Sequence, residues 1–282
     1  MPRDNAVSPA RKHKERLSQI AATLPTGCGV YLFLGEDPTL PLYIGKSVNI
    51  RTRVQSHLRN RREARLLRQT RHIDFRQTAG EIGALLLEAS LIKQRRPLFN
   101  KRLRRNGDLC SLQFSGERIA AVRARDVDFS QTPNLYGLYA SRTAALQSLE
   151  GVAEKHHLCL GRLGLERLPA GKRCFRAALG YCAGVCDGRE TPQEHDARLL
   201  AALQEIRIAC WPYPGAVAIR EASTTLEEWH IVHNWCYLGS VSRLEDAGNL
   251  ARMSPGFDAD GYRILWRALL SGEVAIHPLP AS

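Results

Sequence analysis

At 282 residues the chain is long enough for two or three compact units, and 40 Lys and Arg against 28 Asp and Glu give it a formal charge of +12 at pH 7. Eight cysteines over that length do not make a disulfide scaffold, no run approaches the roughly eighteen apolar residues of a membrane span, and the charged first twenty residues hold no signal-type apolar block. A reduced, cytoplasmic protein of α+β class without membrane association is expected, its basic charge pointing to a polyanionic partner.

Residues 1–24 read as a basic segment with Arg3, Arg11, Lys12, Lys14 and Arg16. Gly29 to Leu34 alternates like a strand, Pro41 to Gly45 makes a second, and Gly35-Glu36-Asp37-Pro38 between them is turn chemistry. An antiparallel hairpin of these strands brings Tyr31 and Tyr43 together. Ser47 stands where it can cap the next helix, in which Ile50, Val54 and Leu58 form the buried stripe and Arg53 and His57 sit one turn apart. Thr78 followed by Glu81 predicts a capping-box start for a helix to about Arg96, which Pro97 stops. Within it Glu88 is flanked at three and four residues by Ala84, Leu85, Leu91 and Ile92, so its carboxylate leaves an apolar face and calls for a cation or a metal.

Further along, Leu109 to Phe114, Ile119 to Val122 and Leu135 to Tyr139 read as short strands, followed by a helix from about Ser141 to His156. Gln193 to Cys210 reads as a helix with Leu199, Leu200, Leu203 and Ile206 on one side. Ala216 to Arg220, Trp229 to Val241 and Glu273 to Ile276 read as strands, with a helix near Glu245 to Met253. Between them Cys174, Cys182 and Cys186 follow Cys159; on a helix Cys182 and Cys186 would share a face, and Cys159 could close a four-thiolate site. Spacing alone leaves ligands and ordinary buried cysteines equally open. Cys28, Cys110, Cys210 and Cys236 read as core residues, and Trp229, Trp235 and Tyr237 as sheet packing rather than a base-stacking platform.

Tyr31, Tyr43, Lys46, Arg53, His57, Glu88 and Asn100 each have a bland reading alone. Together they supply what phosphodiester hydrolysis needs: a group to deprotonate water and positive charge for the pentacoordinate phosphate. The charge distribution agrees, because residues 1–105 hold 22 basic against 8 acidic residues, a balance of +14, while residues 106–282 hold 18 against 20, a balance of −2. Arg51, Arg59, Arg61, Arg62 and Arg65, with Lys101, Arg102, Arg104 and Arg105, form two clusters suited to a DNA backbone, which position a duplex without reading its sequence.

Positions 25–105 resemble a GIY-YIG endonuclease domain, with Gly29-Val30-Tyr31 and Tyr43-Ile44-Gly45 as its two signature elements. The run from Leu24 to Phe33, then Leu42 to Ser47, Glu88 to Lys93 and Pro97 to Asn100 is similar to the amino-terminal half of the bacterial excision-repair nuclease UvrC, and most so to its shorter homologues. That resemblance implies a small mixed sheet flanked by helices, with Tyr31, Tyr43, Lys46, Arg53, His57 and Asn100 at active-site positions and Glu88 holding Mg²⁺ or Mn²⁺. Two departures are Cys28, where a proline commonly precedes the first element, and His57, where many UvrC proteins have tyrosine. Tyr43 is the favoured base and Tyr31 the alternative, either one needing its phenolate favoured by Lys46 and Arg53.

The domain plan is a basic segment over 1–24, the nuclease over 25–105, a UvrC-like middle region with the cysteines over 106–190, and an α+β region over 191–282. Arg173-Cys174-Phe175 to Cys186 resembles the UvrC segment associated with an iron–sulfur cluster, which implies a [4Fe-4S] group on Cys159, Cys174, Cys182 and Cys186. The same resemblance implies hydrolysis of one phosphodiester bond on the 3′ side of a lesion, in damaged double-stranded DNA marked by UvrA and carried by UvrB. A ribonuclease-H-like domain and helix-hairpin-helix units, which UvrC has, are not expected. Two other classes remain: a sequence-specific GIY-YIG nuclease of restriction or homing type, and a non-catalytic DNA-binding or cluster-sensing protein.

Overall fold

The computed structural model describes residues 9–100, 109–168, 172–253 and 255–280; Lys101, Arg102, Arg104 and Arg105 lie outside the described residues. The chain forms two compact units, one made of residues 1–105 together with 213–282 and the other of residues 106–212. The boundary expected at 190/191 therefore falls about twenty residues later, and the carboxy-terminal stretch folds with the nuclease segment.

In the first unit α1 (Pro9–Thr23) leads into β1 (Gly29–Leu34), β2 (Pro41–Ser47) and α2 (Ile50–Arg59). A 3-10 turn at Arg61–Glu63, α3 (Ala64–Gln69), β3 (His72–Gln77) and α4 (Glu81–Arg95) follow. The three strands form an antiparallel sheet in the order β2-β1-β3, which makes β1 central and explains why all six of its residues are buried. Tyr31 and Phe33 turn one way, packing with Leu17, Ala21 and Leu24 and with Ile50, Val54 and Leu58 of α2. Val30, Leu32 and Leu34 turn the other way, onto Leu91 and Ile92 of α4. Each such fully buried side chain contributes roughly 1.5–3 kcal/mol of transfer free energy, so the sheet core fixes β1 firmly between its helices. The basic segment is thus mostly a helix, with Leu17 and Ala21 as its apolar stripe.

Two caps differ from expectation. Asn49, not Ser47, caps α2, accepting from the Thr52 N–H, while the Ser47 hydroxyl closes a small turn with Asn49. At α4 no capping box forms: the N-cap is Gly80, and the Thr78 hydroxyl donates to the Gly80 carbonyl.

The second unit holds β4 (Cys110–Phe114), β5 (Ile119–Arg123), β6 (Leu135–Tyr139), α5 (Arg142–Lys155), α6 (Phe175–Ala178) and α7 (Pro192–Leu203). Its sheet runs β5-β4-β6, and Leu112, Tyr136, Leu149, Leu199 and Leu203 are in its core, which is why residues 191–212 belong here. The helix expected to reach Cys210 stops at Leu203, after a capping box on Thr191 and Glu194, and Ile206 is exposed. Cys182 and Cys186 lie in turns rather than on a helix.

The first unit resumes with β7 (Val217–Ala222), β8 (Glu227–His233), β9 (Cys236–Val241), α8 (Gly248–Ala251), α9 (Ala259–Ser271) and β10 (Ile276–Pro278). The sheet order is β10-β7-β8-β9. One long strand was expected over Trp229 to Val241; Asn234 and Trp235, both at positive φ, instead fold it into a hairpin whose Trp235 is fully buried. Cys110 is buried as expected, but Cys28, Cys210 and Cys236 are only half-buried.

Candidate active site

Register decides where the tyrosines meet. Tyr43 stands opposite Phe33 and Gly45 opposite Tyr31, so Tyr31 and Tyr43 are diagonal neighbours on one face of the hairpin, ring centroids 6.2 Å apart. Gly45 is required there: a Cβ at that position would lie 2.4 Å from the Tyr31 hydroxyl oxygen and 2.9 Å from Tyr43 Cε1. The signature glycine is the space that the first phenol occupies.

α2 then delivers Arg53 and His57 to the same phenol. Tyr31, 1% exposed, places its hydroxyl 2.7 Å from His57 Nε2, and the Arg53 guanidinium interacts with it as well. The other ring nitrogen of buried His57 meets the Glu63 carboxylate. Glu63 sits in the 3-10 turn that Asn60 caps, and the Asn60 side-chain amide donates to its second oxygen at 3.1 Å. Glu63 is a residue that spacing did not single out, although Asn60 three positions ahead of it is a capping pattern legible in the sequence. The result is a chain Tyr31, His57, Glu63 in which a carboxylate orients an imidazole against a hydroxyl.

Burial lifts the Tyr31 phenol well above its ordinary range, and the neighbouring Tyr43 adds to the rise against the lowering effect of Arg53. Tyr43 is raised by burial and by the Glu88 charge, against a hydrogen-bonding interaction with Tyr31 and the charge of Arg53. Arg53 does act on both phenols in the direction a base would need, but burial outweighs it and holds both above the ordinary tyrosine value.

Glu88 reaches β2 from the middle of α4. Its Oε1 accepts the backbone N–H of Lys46 at 3.0 Å, while the Lys46 ammonium pairs with Glu81 at 2.5 Å. Among the described residues no ion pair neutralises Glu88, and burial raises its carboxyl against the pull of that N–H, Lys46 and Arg53. A half-buried carboxylate without an ion-pair partner among the described residues is chemically suited to a hard divalent cation.

Asn100 is engaged by β2. Its side-chain amide accepts from Ile44 N–H at 2.9 Å and donates to the Ile44 carbonyl at 2.8 Å, pinning β2 between Tyr43 and Gly45. Of the basic residues, Arg59, Arg61, Arg62 and Arg65 are exposed, with Arg65 over the Phe99 ring, whereas Arg51 is half-buried and donates to the Leu24 carbonyl at 2.6 Å.

The second unit gathers Cys159, Cys174, Cys182 and Cys186 with all four Sγ atoms within 4.8 Å of one another. Cys174 caps α6 through its sulfur, and its own N–H points to Cys186 Sγ at 3.4 Å. Burial pushes Cys159 up to about 11; for Cys186 burial acts the same way but is outweighed by the Cys174 N–H and the adjacent thiols, which lower it. Buried His195 accepts the Cys159 N–H at 3.1 Å and is itself held by Asp196, fixing the loop that carries this thiol. Turns, not a helix face, bring the four sulfurs together.

Three family models match in succession: a UvrC-like GIY-YIG domain over residues 27–101, the UvrC/Cho excinuclease middle domain over 109–205, and the excinuclease Cho C-terminal domain over 216–282. Excinuclease Cho of Escherichia coli K12 is 54% identical over 268 residues, covering 95% of this chain and 91% of that protein. UvrABC system protein C of Methanospirillum hungatei is 32% identical over 178 residues, covering 61% of this chain and 33% of its own length. Among solved structures, the GIY-YIG N-terminal endonuclease domain of UvrC from Thermotoga maritima, bound to magnesium as its catalytic divalent cation, aligns with 31% identity and a TM-score of 0.29. It covers 30% of this chain and 97% of that one. No described helix is long and apolar enough to cross a membrane. With its three segments matched in order and more than half its residues shared with full-length relatives, the chain belongs to the excinuclease Cho family of UvrC-related DNA repair endonucleases.

Proposed function

We propose that this excision-repair endonuclease hydrolyses one phosphodiester bond on the 3′ side of a lesion, on damaged duplex DNA that UvrA marks and UvrB carries, through Glu88, Arg53 and a relay of two phenols and His57. The UvrA and UvrB assignment is supported by the likeness to UvrABC system protein C, and the duplex by the exposed arginines beside the site. Eight free cysteines suit a reducing compartment, the cytoplasm.

The observation that carries the mechanism is the hydrogen-bonded chain from Tyr31 through His57 to Glu63. A neutral phenol is a poor base, so it needs somewhere to send its own proton. With Glu63 accepting from Nδ1–H, His57 presents the Nε2 lone pair to the Tyr31 hydroxyl. Half-buried Tyr43 meets the attacking water, takes its proton, and passes its own through Tyr31 to His57. The imidazolium so formed is stabilised by Glu63, the hydroxide attacks phosphorus as the bond to the leaving oxygen breaks, and the leaving oxygen takes a proton from solvent while His57 gives its own back through the phenols. Arg53, with an exposed guanidinium beside Tyr31, faces the charge that develops on the phosphate. Glu88 would hold Mg²⁺ or Mn²⁺, which when bound polarises the phosphate and stabilises the leaving oxygen. Asn100 keeps β2 and thus Tyr43 in register.

For the four cysteines we propose a metal centre without a part in the cutting step. A single tetrahedral Zn²⁺ with bonds of about 2.3 Å would space its sulfurs by about 3.8 Å, close to the 3.5 Å between Cys174 and Cys186; the UvrC likeness favours a [4Fe-4S] cluster, which spreads its thiolates wider. Iron, acid-labile sulfide and zinc measured on anaerobically purified protein separate the two, and none of them bound would remove both.

The test of the function is a mapped nick. The protein is incubated with Mg²⁺ and a duplex carrying one defined lesion, with and without UvrA and UvrB. A single cut 3′ to the lesion that depends on UvrA and UvrB supports the reading. Cutting that ignores lesion and helpers would favour a sequence-specific nuclease, and no cutting under either condition a non-catalytic role.

A further inference from the structure

The first turn of α4 is satisfied from far away. Helices leave their first N–H groups without internal partners, and an N-cap side chain ordinarily accepts from the second or third of them. The N-cap here is extended Gly80, which has no side chain. The N–H groups of Ile82 and Gly83, at those second and third positions, donate instead to Glu221 Oε1 and Oε2 at 3.0 and 2.7 Å, and the N–H of Ala79 donates to Glu228 Oε2 at 2.7 Å. Glu221 and Glu228 face each other across the β7–β8 pair.

The carboxylate is held in turn. Buried His230 places Nε2 at 2.9 Å from Glu221 Oε2 and Nδ1 at 2.7 Å from Ser240 Oγ. The α4 backbone leaves room for this arrangement: a Cβ at Gly80 would lie 2.2 Å from Glu221 Oε1, and one at Gly83 would lie 2.5 Å from His230 Cε1. At the other end of the helix the Lys93 ammonium pairs with Asp258 at 2.5 Å and Asp260 at 3.0 Å. The carboxy-terminal segment therefore grips both ends of the helix that carries Glu88.

We propose that Glu221 is a positioning residue of the nuclease: by capping α4 from the carboxy-terminal sheet it sets the place of Glu88 against β2. This rests on Glu88 as the metal ligand. Glu88 lies six residues beyond Ile82, about 9 Å along the helix axis, so slack in the first turn is passed to the carboxylate as shift and rotation. A displacement of about 1 Å at a catalytic group costs about 10²-fold in rate.

The test compares full-length Glu221→Gln, Glu221→Ala and the double variant Glu221→Ala with Gly80→Asp, which supplies a cap from the helix's own chain. Amide exchange at Ile82 and Gly83, Mn²⁺ binding followed by electron paramagnetic resonance, single-turnover nicking, and DNA binding in EDTA are measured on each. Both single variants should speed exchange at the two amides by about tenfold or more, the worth of a lost charge-assisted hydrogen bond. They should also weaken Mn²⁺ binding and lower the nicking rate by about 10²-fold with DNA affinity in EDTA unchanged. The double variant should restore protection, Mn²⁺ affinity and rate together. Unchanged exchange, fast exchange with unaltered Mn²⁺ affinity and rate, or restored protection without restored affinity would each overturn the proposal. Glu88→Gln separates the two claims: Mn²⁺ binding that survives it refutes the metal reading, while exchange at Ile82 and Gly83 still tests the cap.

Discussion

Gly45→Ala tests whether the Tyr31 hydroxyl has to stand where it does. The new Cβ would lie 2.4 Å from that oxygen, 2.6 Å from Tyr31 Cζ and 2.9 Å from Tyr43 Cε1, where ordinary contacts are about 3.5 Å or more. The phenol or the β2 backbone must therefore yield by about 1 Å, a shift large against the tolerance of the 2.7 Å contact between the hydroxyl and His57 Nε2. Overpacking of this kind costs about 1–3 kcal/mol, each 1 kcal/mol lowering Tm by about 2–4 °C at this chain length. The shift of the hydroxyl should cost about 10²-fold in single-turnover nicking of an end-labelled lesion duplex with UvrA, UvrB and saturating Mg²⁺. Thermal unfolding in parallel separates the two effects, because at a temperature well below Tm only the displacement acts on the rate. A variant that loses stability yet nicks at the wild-type rate would refute the relay.

His57→Ala should lower the nicking rate by about 10² to 10⁴-fold, the usual worth of a general base, and Glu63→Gln should lower it in the same direction while leaving DNA affinity alone. Equal rates for wild type and Glu63→Gln would detach the carboxylate from the chemistry. A pH series probes the cap: burial raises the Glu221 carboxyl, but His230 and the two amides outweigh it and hold it below its ordinary 4.5. Its contribution to stability is then complete above that value and disappears as pH falls through the lowered one. The stability gap between wild type and Glu221→Gln, measured by urea unfolding, should be largest near neutrality and close in acid; a gap independent of pH would contradict this.

Much of the site was legible because it is local. The hairpin, the α2 stripe and the place of Glu88 on α4 all follow from periods of two and of three to four residues, and two aromatic strands with a turn between them leave little choice of register. What was not legible depends on distant chain or on weak pattern. β3 is an edge strand whose residues are exposed apart from Ile73, so no alternation marks it. The Thr78 and Glu81 pair has the letters of a capping box, yet Glu81 turns to Lys46 and the cap arrives from Glu221. The pairing of both ends of the Asn100 amide with Ile44 joins residues 56 positions apart, which no local pattern announces. The basic amino-terminal stretch hides a helix because its apolar residues are few and well spaced, and the four cysteines meet through turns that no helical spacing encodes.

The central claim is that one metal ion sits on Glu88 beside the two phenols. Crystals soaked in Mn²⁺ and measured at the manganese edge should show an anomalous peak about 2.1 Å from a Glu88 oxygen, on the side facing Tyr43, and the peak should vanish in Glu88→Gln. A peak bound elsewhere in the unit, or one that persists when Glu88 is replaced, would contradict the account.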